Sequence, residues 1–152
     1  MGQPATTTLH LRLHPDEEGW PPFGMEEVEG LELSAGRYRV TTPPTFTQTL
    51  AVGDVVAAEA REGVWWIRRV EVEGDRAVIW VITTRQHGPD EAIAVAERHG
   101  ADVYRRLAGG HFLALDTGPD VDFGALLEEL SAGEAAGRWY VAVGSWPSSY
   151  QA

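Results

Sequence analysis

The sequence predicts an α+β fold in which a small β-barrel-like or curled antiparallel sheet precedes a ferredoxin-like βαββαβ unit. In the front half, short alternating runs separated by turn residues are typical of an all-β region. In the back half, strand and helix periodicities follow each other in the order strand, helix, strand, strand, helix, strand. We therefore expect two subdomains, 5–75 and 76–146, and a disordered tail at 147–152.

The strands of the front half follow from alternation and from the turns between them. Polar and apolar residues alternate at 7–13 and again at 37–40. The runs 50–59 and 64–72 flank Arg61-Glu62-Gly63 and predict a hairpin. The segment 26–33 is expected to be an edge strand. A further turn at Glu73-Gly74-Asp75 predicts that the next strand extends the hairpin into a three-stranded meander.

The back half begins with a strand at 76–83, whose apolar and β-branched residues on both faces predict a central position in a sheet. Pro89 and Gly100 enclose a helix of about three turns, in which Ile93 and Ala96 face inward. Two strands, 102–107 and 111–116, flank Gly109-Gly110. That pair favours the positive φ angles of a tight hairpin turn.

A second helix and a last strand complete the βαββαβ order. One apolar stripe with helical spacing consists of Phe123, Leu126, Leu127 and Leu130. Asp120 or Asp122 is expected to cap this helix, and Gly133 and Gly137 to end it. With a strand at 139–143 and right-handed crossovers, the sheet is antiparallel, its first and third strands are central, and both helices cover one face.

Composition excludes several classes of function. The chain has no cysteine, which excludes disulfides, thiolate catalysis and cysteine-ligated zinc. All 12 basic residues are arginine, but 23 acidic residues give a net charge of -11, which disfavours nucleic acids as partners. The start of the chain lacks a signal-peptide pattern, and no apolar run could span a membrane. We expect a soluble cytoplasmic protein without a cofactor, whose oligomeric state the residues leave open.

The segment after His14 is the strongest candidate for a partner surface, because it is acidic and contains no arginine. The candidate contacts are Asp16, Glu17, Glu18, Trp20 and Phe23. Aromatic side chains rimmed by charge are typical of interface anchors, and negative charge speeds the encounter with a basic partner. The first hypothesis is therefore a non-catalytic binding or regulatory module that engages a basic protein. The alternative for this segment is a solvated acidic loop.

Four stretches carry a family resemblance: HPDEEGWPPF at 14–23, GRYRV at 36–40, LAVGDVVA at 50–57 and WWIRRV at 65–70. They resemble an uncharacterised family of small acidic bacterial proteins classed as a domain of unknown function. Members of that family usually carry a Gly-His-Ser-Thr type segment before the central strand, whereas this chain reads EGDRA at 73–77. The resemblance implies no activity, and no chemistry of the missing His-Ser pair carries over.

A second hypothesis is a small anionic ligand at the junction of the two halves, where pockets commonly form. The candidate contacts are Arg37, Trp65, Trp66, Arg68 and Trp80, since arginine beside tryptophan can hold an anion. The alternative is that these residues form ordinary core and cross-strand contacts.

An enzymatic function has the weakest support, because no catalytic motif is present. The candidate general-base pairs are His14 with Asp16 and His111 with Asp116. His10, His14 and Asp16 also have a spacing that metal ligands can adopt. Surface polar residues explain this spacing better, and we expect no metal site.

Overall fold

The computed structural model of the chain describes residues 5–48, 50–106 and 110–147. In these ranges the chain forms two compact units, which divide between Gly74 and Asp75. The first unit contains β1 (Thr6–Arg12), β2 (Met25–Ser34), β3 (Arg37–Val40), β4 (Val55–Arg61) and β5 (Val64–Val72). The second contains β6 (Ala77–Thr83), α1 (Asp90–Arg98), β7 (Asp102–Arg106), β8 (Phe112–Thr117), α2 (Phe123–Ala135) and β9 (Trp139–Ser145). The fold is therefore α+β, with a curled five-stranded sheet and a second sheet.

The five strands of the first unit form a closed barrel in chain order. Neighbouring strands are antiparallel, except that β1 and β5 close the barrel in parallel. Because side chains alternate between the two faces of a strand, each strand sends every second residue inward. The core consists of Leu9, Val28, Tyr38, Val40 and Val56 from the strands, together with Leu50 from the connection between β3 and β4.

The expected edge position of the segment 26–33 is wrong, because β2 pairs with β1 on one side and with β3 on the other. Its sequence is rich in acids, which suggested an exposed edge. In the barrel, Glu27 lies on the outer face while Val28 and Gly30 are buried. Acidic residues on the outer face of a closed barrel remain in water, so their presence does not indicate an edge.

The second unit is a four-stranded antiparallel sheet in the order β7-β8-β6-β9. The first and third strands of the unit, β6 and β8, are central as predicted. Both helices pack on one face of the sheet: Ile79 and Leu113 from the central strands belong to one core cluster with Ala96 of α1 and Leu126 of α2. The predicted extension of the β4–β5 hairpin by this unit's first strand is wrong. Both edges of β6 pair within its own sheet, to β8 and β9.

Helix α2 begins as predicted but continues further. Asp122 is its cap, and the Asp122 side chain accepts a hydrogen bond of 3.0 Å from the Ala125 backbone N–H. Gly133 lies inside the helix rather than at its end. A Cβ at this position would lie 2.1 Å from the Trp139 ring, so glycine here permits close packing. Gly137, with φ of 78°, follows the last turn.

Two predictions fall on residues outside the described ranges. The hairpin between β7 and β8 pairs as expected from Asp102 to Arg106, but of its predicted Gly109-Gly110 turn only Gly110 is described. The predicted disordered tail lies outside these ranges except for Pro147. Among the helices that the structure describes, none combines the length and the apolar character needed to cross a membrane.

Candidate functional site

The segment between β1 and β2 forms a closed loop at residues 14–23, which we call the acidic aromatic loop. At its base, the Leu13 N–H donates a 2.9 Å hydrogen bond to the Gly24 carbonyl. Inside it, the Asp16 carboxylate accepts hydrogen bonds from the backbone N–H groups of Glu18 (2.9 Å) and Trp20 (3.0 Å). These contacts are those of an aspartate-centred turn, so the loop has a defined local conformation.

Two aromatic side chains of this loop are half-exposed and rest on a third. Trp20 is 53% exposed and Phe23 is 48% exposed. Their ring centroids lie 5.6 Å and 5.5 Å from that of Phe46, with the Trp20 ring edge-on. Such distances are typical of favourable aromatic pairs. Part of each ring is therefore fixed in place while the rest faces solvent.

A buried carboxylate holds the segment that carries Phe46. Glu26, on β2, is 9% exposed, and its two carboxylate oxygens accept hydrogen bonds from three consecutive backbone N–H groups. The donors are Thr45 (2.7 Å), Phe46 (3.0 Å) and Thr47 (2.5 Å). Hydrogen bonds to an ionised acceptor are stronger than neutral ones. Glu26 thus acts as a support for the aromatic side chains without reaching the surface itself.

A groove of about 440 Å³ lies where β1 and β5 close the barrel, and we call it the seam groove. The two strands pair only through Leu9 with Trp65 and His10 with Trp66. Both strands continue beyond these pairs. The groove is lined by the next two residues of each strand, Leu11 and Arg12 of β1 and Ile67 and Arg68 of β5. The groove therefore occupies the place where a longer ladder would have closed the barrel.

The lining of the seam groove includes both basic and apolar residues. Its apolar residues are Leu11, Leu50, Trp66, Ile67 and Val70. Of these, Leu50 belongs to the barrel core, and Leu11 and Ile67 pack against it. Its basic side chains are Arg12, His14, Arg61, Arg68 and Arg69. Among the residues that the structure describes, no aspartate or glutamate lines the groove. The groove thus combines positive charge with apolar surface.

An aromatic contact orders one of these arginines. The Arg12 guanidinium carbon lies 4.5 Å from the centroid of the Trp66 ring, within the range of a cation–π contact. The His10 ring lies 5.5 Å from the Trp66 ring, and its Nε2 is 3.2 Å from the Glu27 carboxylate. A stacked guanidinium keeps the N–H groups at its edge available for other partners.

Comparison with known proteins places the chain in a family. Residues 26–141 match the family described as a domain of unknown function, DUF4265. The chain belongs to this family. The predicted membership in a family of unknown function is confirmed, while the acidic and bacterial character of its members stays a prediction.

The fold also occurs in a solved structure. A hypothetical protein from Neisseria gonorrhoeae is similar over 96% of this chain and 99% of its own, with a TM-score of 0.78 and 19% sequence identity. At this identity the likeness extends to the fold alone. No curated protein sequence matches this chain. The DUF4265 match covers Glu26, Phe46 and three of the groove arginines, whereas the acidic aromatic loop precedes it.

The predicted general-base pairs do not form. The Asp16 carboxylate accepts hydrogen bonds from the backbone N–H groups of its own turn. Among the described residues it forms no ion pair with His14, which lines the seam groove. His111 and Asp116 lie near opposite ends of β8, on the order of 15 Å apart along a strand. His111 Nδ1 is 3.1 Å from the Thr83 hydroxyl. Asp116 instead accepts two hydrogen bonds from the Arg76 guanidinium. In neither pair, therefore, does the carboxylate orient the imidazole for base catalysis.

The predicted ligand contacts are divided among several environments. Trp66 and Arg68 lie together in the seam groove. Trp65 instead packs against the barrel core, with its ring 5.5 Å from that of Tyr38, and Arg37 pairs with Glu71 at 3.4 Å. Trp80 is buried in β6 of the second unit.

Sequence reasoning missed several contributors to these surfaces, namely Glu26, Phe46, Arg12, Arg61 and Arg69. The sequence did indicate the orientation of Arg12. It lies two residues after His10 on an alternating strand, so both side chains are expected on the outer face. The groove itself depends on the parallel closure of β1 on β5, which no local pattern encodes. In the ranges that the structure describes, no three histidine or acidic side chains are arranged to hold a metal ion.

Proposed function

We propose that the chain is a non-catalytic binding module whose acidic aromatic loop engages a basic protein partner. The observation that carries the proposal is the pair Trp20 and Phe23, both about half exposed yet held against Phe46. Exposed aromatic rings that are already fixed lose little side-chain entropy on binding, which favours affinity. Aromatic anchors of this kind carry much of the binding energy in protein interfaces.

The charge around these anchors supports a basic partner. Asp16, Glu17 and Glu18 are exposed, and in the described part of the chain none of them forms an ion pair. The chain as a whole has a net charge of -11. A negative surface of this kind attracts a positively charged protein and raises the rate of encounter, an effect that salt weakens.

The second unit fits the role of a scaffold. We assign it to the ferredoxin-like class, which is supported by its βαββαβ order and by the antiparallel strand order β7-β8-β6-β9. Many unrelated functions occur on this class of fold, so the assignment carries no function of its own. A small-molecule ligand is the alternative, and the seam groove is the feature that favours it.

The proposal is tested by capture from a lysate of the source cell, with quantitative identification of the retained proteins. The double variant Trp20→Ala, Phe23→Ala should lose a basic protein that the wild type retains, with affinity lower by at least about tenfold. Tyr140→Ala is the matched control, because it removes a 65% exposed aromatic side chain from the second unit. Equal partner profiles for the wild type and the double variant would sink the proposal.

The same captured partner tests the role of charge. Glu17→Gln, Glu18→Gln should slow association and flatten its salt dependence. The control is Glu97→Gln, Glu128→Gln, which makes the same change in net charge at exposed helical positions of the second unit. An equal effect of both variants would mean that only the total charge matters and that the loop is not the contact.

A further inference from the structure

We propose that the seam groove is a binding site for a small anionic molecule that carries a phosphate or carboxylate group on an apolar body. The site lies on the barrel and borders the acidic aromatic loop, whose first residue, His14, lines the groove. Its volume of about 440 Å³ lies within the range of small-molecule pockets, roughly 300–1,000 Å³. The shape exists because the β1–β5 ladder ends after two residue pairs, so the site needs no rearrangement of the barrel.

The arginines of the groove argue for an anion. Four of the 12 basic residues in the chain, Arg12, Arg61, Arg68 and Arg69, line this one groove, although the chain contains 23 acids. Arg68 pairs with Glu59 at 2.8 Å. Within the described residues, the other three arginines form no ion pair. Their donors remain available to a ligand.

The geometry of one arginine favours an oxyanion. The guanidinium of Arg12 is stacked on the Trp66 ring, which restricts its motion. The N–H groups along the edge of the planar guanidinium match the spacing of two oxygens in a carboxylate or phosphate. A stacked arginine pays less entropy than a free one when it binds such a group.

The size of the ligand follows from the charge distribution. Electrostatic interactions across solvent are screened over about 8 Å at physiological ionic strength. A small anion inside the groove therefore experiences mainly the nearby arginines. An extended polyanion such as a nucleic acid would also meet the acidic surface of a chain with net charge -11.

The apolar lining residues of the groove favour a ligand with an apolar body. Leu11, Trp66, Ile67 and Val70 line the groove together with the arginines and are at least partly exposed. Burial of a ring or an aliphatic chain there would add to the charge interaction. A bare inorganic anion would use only part of the site and should bind more weakly.

The test is calorimetric titration of the full chain with phenyl phosphate, benzoate, inorganic phosphate and neutral benzyl alcohol, with NMR mapping of the bound position. We expect phenyl phosphate or benzoate to bind more tightly than inorganic phosphate, and benzyl alcohol to bind least. Which of the two aromatic anions binds better identifies the anionic group. Shifts of the Trp66 indole signal should accompany binding.

Two charge-matched double variants locate the site. Arg12→Gln, Arg69→Gln should weaken the binding of the better anion by at least about tenfold. Arg39→Gln, Arg85→Gln removes two exposed arginines outside the groove and should leave the affinity within about twofold. Absence of binding by every anionic probe up to about 10 mM, or an equal loss in both variants, would overturn the proposal.

Discussion

The two units of the chain hold their buried carboxylates in different ways. In the barrel, Glu26 accepts hydrogen bonds from three backbone N–H groups, and Asp54 accepts them from the backbone of Ala51 (3.0 Å) and Gly74 (2.8 Å). In the second unit, Asp116 binds Arg76 through two hydrogen bonds of 2.9 Å and 2.8 Å. The barrel thus uses carboxylates to order loops, whereas the second unit uses one in an ion pair.

The barrel carboxylate Glu26 supports the candidate binding surfaces, whereas the Arg76–Asp116 pair supports only the fold of the second unit. The segment ordered by Glu26 carries Phe46, on which the aromatic anchors rest, and Thr47, which lines the seam groove. Arg76 and Asp116 instead connect the start of the second sheet's central strand with the end of its neighbour. We therefore expect a change at Glu26 to affect binding, and a change at Asp116 to affect only stability.

The largest effect is expected for Glu26→Ala. It leaves three backbone N–H groups in a partly buried segment without their acceptor, which should lower the free energy of unfolding by about 3 kcal/mol. It should also weaken capture of the protein partner and binding of the anionic probe. Urea denaturation and the two binding assays measure these effects. Glu32→Ala is the control, because Glu32 is an exposed acid on the same strand. Unchanged binding in a folded Glu26→Ala protein would contradict the comparison.

A smaller effect is expected for Asp116→Asn. It removes the charge that faces Arg76, but the Arg76 side chain is 30% exposed and retains Asp102 at 3.6 Å. The free energy of unfolding should therefore fall by about 2 kcal/mol. Below the unfolding transition, both binding assays should give wild-type values. Loss of either binding activity in this variant would show that the two kinds of support are not separate.

The smallest effect is a difference in pH dependence. Burial raises the pKa of Asp54 above its ordinary value of 3.8, against the lowering effect of its two backbone hydrogen bonds. Because the folded pKa is the higher one, the stability that Asp54 contributes is present at acid pH and is lost as pH rises through that folded pKa. The wild type should therefore lose stability relative to Asp54→Asn as pH rises above the ordinary value of 3.8.

For Glu129 in the second unit, we expect the slope of stability against pH to have the opposite sign. Hydrogen bonds from His99 and Arg98 lower the pKa of its exposed carboxyl below the ordinary value of 4.5. Its contribution is present above that value and is lost as pH falls through the lowered pKa. The wild type should thus gain stability relative to Glu129→Gln as pH rises from acid values towards 4.5. Thermal unfolding of the wild type, Asp54→Asn and Glu129→Gln at acid pH gives the two stability differences as functions of pH. If both differences change with pH in the same direction, the opposite pKa shifts inferred for Asp54 and Glu129 are wrong.

The sequence predicted elements whose signals are local. The strand Arg37–Val40 and the cap of α2, expected at Asp120 or Asp122, follow from residues that lie close together in the chain. The order of the second sheet follows from the succession of its elements and the right-handed crossover rule, although β6 and β9 are distant in the chain. Gly133 was misread for a similar reason: glycine commonly ends a helix, and its packing against Trp139 involves a residue beyond the helix. Local patterns identify elements well but cannot reveal which distant side chain will occupy the adjacent space.

The two candidate surfaces differ in the same respect. The aromatic and acidic residues of the loop are close together in the chain, so the sequence indicated them. It did not indicate that Trp20 and Phe23 pack against Phe46. The seam groove combines side chains from separate segments, of which only Trp66 and Arg68 were among the predicted contacts. Their assembly requires β1 to pair in parallel with β5. That pairing joins strands with three others between them, and no periodicity in either strand specifies it.

The parallel β1–β5 closure has a consequence for folding kinetics. The four antiparallel pairings join strands that are consecutive in the chain, whereas the closure joins the first strand to the last. The loop-closure entropy of such a distant contact must be overcome before its few hydrogen bonds can form. Barrel closure should therefore be a late step of folding. A molecule bound in the groove would slow the reopening of that seam, so ligand occupancy and the lifetime of the folded barrel are coupled.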